Sequence, residues 1–91
     1  MTKSVWHIYM VRCSDNTLYT GIAMDVNRRV EEHNSDNRLG AKYTRTRRPV
    51  QLVYQEAVNS RSEAAKREHA IRTLNKKDKE LLVQQYTKKN S

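Results

Sequence analysis

The sequence predicts an α+β domain, a small three-stranded antiparallel sheet (about residues 5–13, 17–22 and 50–58) flanked by helices (about 25–35, 60–75 and 77–86). Three observations carry this reading. Two runs rich in β-branched and aromatic residues are separated only by Ser14-Asp15-Asn16, which is turn chemistry. A third such run follows Pro49, and the stretches between and after the runs repeat their apolar residues at helical rather than alternating spacing. At 91 residues the chain has length for one domain, residues 1–91, and one modest core.

The first strand, Val-Trp-His-Ile-Tyr-Met-Val-Arg-Cys, holds no glycine or proline and reads as covered on both faces. The register of its partner follows from the loop length. A three-residue loop pairs Cys13 with Thr17, Val11 with Tyr19 and Tyr9 with Gly21, which puts the phenols of Tyr9 and Tyr19 on one face. A slip of one residue would separate them. Asp25 is suited to cap the next helix, because its carboxylate can accept from free amides of the first turn. On that helix Val26, Val30 and His33 share an arc with Arg29 at its edge, whereas Arg28 points away.

Residues 35–49 carry Ser, Asp, Asn, Gly and Pro without a sustained period and read as a long connection. Arg38, Lys42, Arg45, Arg47 and Arg48 fall within it with no acid between Arg38 and Arg48, and Tyr43 among them offers a stacking surface for a base. After the third strand, Ser60 or Ser62 can cap a helix whose apolar arc is Ala64, Ala65, Ile71 and Leu74. Glu68 falls within that arc, an unexpected place for a carboxylate. The last helix offers Leu81, Leu82 and Tyr86 to the core, and residues 87–91 are expected to fray.

Eighteen basic against ten acidic residues give a net charge of +8, a field that favours polyanions and nucleic acid first among them. The basic residues do not oppose a broad apolar face, no run has the length of a membrane span, and the first residues lack the centre and cleavage site of a signal peptide, so the expected place is the cytoplasm. The single cysteine, Cys13, reads as a small buried hydrophobe.

Each candidate has a bland counterpart. Strand tyrosines usually pack, and a histidine on a half-buried helix face is usually a hydrogen-bonded core residue. Arg29 is harder to dismiss, since arginine is rarely drawn inward without an anionic partner. A structural ion pair between Arg29 and Glu68 stands level with a catalytic use of both.

His7-Ile8-Tyr9, then Tyr19-Thr20-Gly21, Arg29 ten residues beyond Tyr19, and Glu68 inside Glu63-Ala64-Ala65-Lys66-Arg67-Glu68 together resemble the GIY-YIG nuclease superfamily. The segment from Lys42 to Val50 with Leu52-Val53-Tyr54 resembles its small stand-alone bacterial branch, and the likeness spans roughly residues 5–83. Two positions depart from the pattern: His7 stands where the family has its first glycine, and Thr20 where it has isoleucine.

The resemblance implies metal-dependent hydrolysis of a DNA phosphodiester by a monomer. Glu68 would be the one protein ligand of a Mg²⁺ or Mn²⁺ ion that binds weakly without substrate, Arg29 would face the scissile phosphate, and Tyr19 would lie near the attacking water. Tyr9 would support by hydrogen bonding, and His33 would orient Tyr19 or assist proton transfer. Arg29 and the metal would be expected to stabilise the Tyr19 phenolate. The alternative is a non-catalytic nucleic-acid-binding module with the same fold and basic surface, and a basic ribonucleoprotein component is a third reading.

Overall fold

The computed structural model describes residues 5–90. Three strands, β1 (Trp6–Arg12), β2 (Leu18–Ala23) and β3 (Gln51–Val58), form an antiparallel sheet in the order β2-β1-β3. Four helices accompany them: α1 (Val26–Ser35), α2 (Lys42–Arg45), α3 (Arg61–Arg72) and α4 (Lys76–Lys89). The α+β architecture is as the sequence predicts, and no described helix is long and apolar enough to cross a membrane.

β1 is central because its successive side chains feed two cores. Ile8 and Met10 pack with Tyr54, Ala64, Ile71 and Val83 on the face covered by α3 and α4. Tyr9, Val11 and Cys13 pack with Ala23, Val26 and Val50 on the face covered by α1. Alternation along a strand sends neighbours to opposite faces, and Ile8 to Val11 are all at most 1% exposed, so at the centre of β1 neither face meets water.

The hairpin has the expected register, Tyr9 opposite Gly21 and Val11 opposite Tyr19. Its three-residue loop closes through the Cys13 amide donating to Thr17 O at 2.8 Å, with Asn16 at φ 70°. An asparagine tolerates that left-handed conformation where most residues would be strained. Asp25 caps α1 as predicted, accepting from the Arg28 amide at 3.1 Å.

The structure corrects several details. The connection from 35 to 49 is not uniformly irregular, because it contains the single turn α2. α3 stops at Arg72 since Asn75, its side chain accepting from the Asp78 amide at 2.8 Å, already caps the next helix. α4 continues through Lys89 instead of fraying from residue 87, with lysines in its last turn where the helix dipole favours cations; Ser91 lies outside the described residues. Ala65 is exposed, because the buried stripe of α3 runs through Ala64 and Ile71. Leu81 is 44% exposed, and Val83 takes the core position on α4.

Candidate active site

The α1-facing side of the sheet holds a buried polar cluster. Tyr9 is only 1% exposed on β1, and its ring occupies the space that a side chain at residue 21 would need. A Cβ added at Gly21 would lie 2.6 Å from the Tyr9 hydroxyl oxygen and 2.7 Å from Cζ, so this strand position must be glycine for the phenol to lie across β2. The Tyr9 oxygen is 2.7 Å from Nε2 of His33, which is fully buried on α1.

The other ring nitrogen, Nδ1, lies 3.3 Å from the Ala41 amide nitrogen, so both nitrogens of His33 are engaged. Thr44, also fully buried, places its hydroxyl 3.0 Å from the same Nδ1. Burial, and secondarily the Arg29 charge, push the His33 pKa down to about 4, so the ring is neutral near pH 7.

Tyr19 is the contrasting phenol. Its ring meets His33 edge-on with centroids 5.3 Å apart, yet its hydroxyl makes no hydrogen bond among the described residues. Burial raises the Tyr9 pKa to about 12, helped by the neighbouring Tyr19. Burial also raises that of Tyr19; Arg29 and Arg72 pull it down and Glu68 pushes it up. The expected lowering by Arg29 is therefore present but outweighed by desolvation.

Arg29 does not pair with Glu68. Its Nη1 donates to Glu32 Oε1 at 2.9 Å and to the Leu39 carbonyl, and its charge acts on both phenols. Glu68 lies 3.8 Å from the exposed Arg72 guanidinium, its side chain is 22% exposed, and it accepts no hydrogen bond among the described residues. The structural Arg29–Glu68 ion pair weighed from sequence is thus not formed.

A half-buried carboxylate with unused lone pairs, electrostatically coupled to two phenols, suits a hard divalent cation that fills its remaining positions with water and phosphate oxygens. The described residues contain no group of three or more His, Cys, Asp or Glu side chains able to hold a metal, so a closed structural zinc site does not fit.

The basic loop divides into two sets. Arg48 donates to His33 O (2.6 Å), Asn37 Oδ1 (3.0 Å) and Asp36 O (3.1 Å), which commits its guanidinium to holding the loop. Arg47 donates to Asp15 Oδ2 (3.0 Å) and Tyr43 O (2.9 Å) and lies over the Tyr43 ring. Tyr43 stacks on Tyr19. Arg38, Lys42 and Arg45 are exposed, and their side chains make no ion pair or hydrogen bond among the described residues. These three are the cations of the loop open to a polyanion.

Sequence reasoning missed Glu32, Thr44 and Asp15. Glu32 was accessible as the i+3 partner of Arg29 on a helix. Thr44 and Asp15 carried no local signal, since each meets its partner only through the tertiary fold.

Comparison with known proteins identifies the family of the chain. A family model described as the GIY-YIG catalytic domain matches residues 5–81. A UPF0213 protein of Desulfotalea psychrophila is 53% identical over 81 residues, covering 89% of this chain and 73% of that one. A UPF0213 protein of Staphylococcus aureus is 54% identical over 78 residues, covering 86% and 93%. Among solved structures, the solution structure of a UPF0213 protein from Bacillus halodurans matches with a TM-score of 0.56 at 39% identity, covering 88% of this chain and 83% of that one. A second, of an E. faecalis protein, matches with a TM-score of 0.61 at 36% identity, covering 94% and 90%. Residues 5 to 81, and with them every side chain of the polar cluster, thus belong to the GIY-YIG catalytic domain family.

Proposed function

We propose that this chain is a divalent-metal-dependent nuclease that hydrolyses phosphodiester bonds in DNA. The observation that carries the reading is the division between the two phenols: Tyr9 is engaged by His33, whereas the Tyr19 hydroxyl has no hydrogen-bond partner among the described residues and feels the charges of Arg29 and Glu68. Tyr19 is the general base. Its phenolate takes a proton from the attacking water as the water oxygen bonds to phosphorus and the phosphorus–oxygen bond to the leaving sugar breaks.

Glu68 is the residue that would hold Mg²⁺ or Mn²⁺. When bound, such an ion supplies the positive charge that lowers the Tyr19 pKa and neutralises phosphate oxygens. Arg29 donates to the phosphoryl oxygens as charge accumulates on them; its Glu32 and Leu39 contacts fix the guanidinium beforehand. His33, neutral and hydrogen-bonded to Tyr9, orients both tyrosine rings and does not carry the proton. Arg38, Lys42 and Arg45 lead the DNA backbone toward the pocket.

The test is cleavage of branched, nicked, single-stranded and duplex DNA with Mg²⁺ or Mn²⁺, comparing wild type with Glu68→Gln and Arg29→Ala. Glu68→Gln is expected to lower the rate at least about 100-fold while DNA is still bound. Salt-sensitive binding without cleavage by the wild type would instead support the non-catalytic module.

A further inference from the structure

Resting on the assignment of Tyr19 as the base, we propose that Tyr43 is a positioning residue for Tyr19, clamped in turn by Arg47 and Asp15, and that it does not serve as a base-stacking surface. A tyrosine hydroxyl lies on the long axis of its ring, so whatever fixes the ring fixes the direction in which the oxygen points. Tyr9 has a hydrogen bond to do this. Tyr19 has none among the described residues; beside its packing on the α1-side core, two ring contacts set its plane: His33 edge-on at 5.3 Å and 71°, and Tyr43 stacked at 5.9 Å with planes 21° apart.

The far side of this arrangement is anchored. The Arg47 guanidinium carbon lies 3.9 Å from the Tyr43 ring centre, a cation–π contact, and the same guanidinium reaches Asp15 Oδ2 at 3.0 Å and the Tyr43 carbonyl at 2.9 Å. The Ser14 amide donates to the Arg47 carbonyl at 2.9 Å, so the β1–β2 turn holds Arg47 by backbone as well as by side chain. The result is a continuous series from Asp15 through Arg47, Tyr43 and Tyr19 to His33. Neighbouring residues of α2 thereby serve the pocket twice, Thr44 against His33 Nδ1 and Tyr43 against Tyr19. Tyr43 is 39% exposed, but Tyr19 and Arg47 both contact its ring, so a nucleobase would have to displace one of them to stack on the face it covers.

Two measurements on the full chain test this. The first is single-turnover cleavage with the KM-against-kcat split. Tyr43→Leu is expected to lower kcat about 10- to 100-fold with KM within about twofold, since a slightly misaimed base costs rate without costing affinity. Tyr43→Phe, which keeps the stack, is expected to recover most of the loss. The second is NMR of ¹³C-labelled tyrosine rings without DNA, the Tyr19 signals being those absent from Tyr19→Phe. Tyr43→Leu should shift and broaden them, and Tyr43→Phe should not.

Should Tyr43→Leu fail to fold, Asp15→Asn keeps the oxygen that accepts from Thr17 and weakens the Arg47 pair; it is expected to perturb the same signals to a smaller degree. A higher KM with unchanged kcat would show Tyr43 to be a DNA contact and overturn the proposal. Unchanged Tyr19 ring signals in Tyr43→Leu, or in Asp15→Asn where that variant stands in, would overturn it too. If the wild type cuts no DNA, the nuclease reading fails by itself, and the ring signals still decide whether Tyr43 positions Tyr19.

Discussion

The two faces of β1 use the same strand for different ends. Toward α3 and α4 the strand presents Ile8 and Met10 to hydrocarbon, and the buried Thr20 hydroxyl of β2 on that side finds no hydrogen-bond partner among the described residues. Toward α1 it presents Tyr9, and the polar atoms of Tyr9, His33 and Thr44 there are joined to one another. An unsatisfied buried hydroxyl costs more than an apolar group of the same shape, so polar residues are stabilising only where a network receives them. The α1 side has such a network, although His7 Nδ1 on that side is also buried without a partner among the described residues; the opposite side has the Thr20 hydroxyl and no network around it. The lesson is that period-two alternation lets one strand build an apolar core and a polar cluster back to back.

Acid separates the two faces most strongly. His33 binds a proton more readily in the unfolded chain, near pH 6.5, than in the folded one, near 4, so stability falls as pH drops through that window. The loss should approach about 2–3 kcal/mol by pH 4. The opposite face is tied by Arg12, whose two donors reach Glu80 at 2.6 and 2.8 Å. This bidentate hydrogen bond, chiefly, holds the Glu80 pKa at about 2. That contribution is complete above the unfolded value of 4.5 and is lost only as pH falls toward 2. Urea unfolding at a series of pH values should therefore show two separate declines, and His33→Gln should abolish the one at higher pH.

The next effect is steric. Gly21→Ala puts a methyl group where the Tyr9 ring lies, and that ring cannot retreat without breaking its bond to His33. A loss of about 2 kcal/mol in denaturant unfolding is expected, accompanied by a displaced Tyr9 ring resonance. The smallest effect has the opposite sign and belongs to the other face. Thr20→Val keeps the shape and removes the orphaned hydroxyl, so it should stabilise by about 1 kcal/mol and raise Tm by several degrees.

Much of this could be read in the sequence where the signal was local. The hairpin register followed from a three-residue loop, the α1 cap from Asp25, and the inward turn of Arg29 and His33 from helical spacing, and these place most of the pocket. Glu68 was visible only as an acid out of place among Ala64, Ile71 and Leu74. What escaped was tertiary. One turn of helix has no period to detect, so α2 and with it Thr44 were not foreseen. The loop arginines looked alike in sequence, yet Arg47 and Arg48 turn inward to acceptors supplied by other segments, Asp15 being 32 positions from Arg47. Charge density identified the basic loop; only the fold shows which of its cations remain open.

The division between the phenols is the claim on which the functional account rests, and Tyr19→Phe measured beside Tyr9→Phe tests it most directly. In single-turnover cleavage of one DNA substrate with saturating Mg²⁺, Tyr19→Phe should lose about 10²- to 10⁴-fold, the range expected for removing a general base. Tyr9→Phe, which loses the hydrogen bond to His33 but leaves the Tyr19 hydroxyl in place, should lose about 10-fold. The reverse order, with Tyr9→Phe inactive and Tyr19→Phe near wild type, would contradict the account.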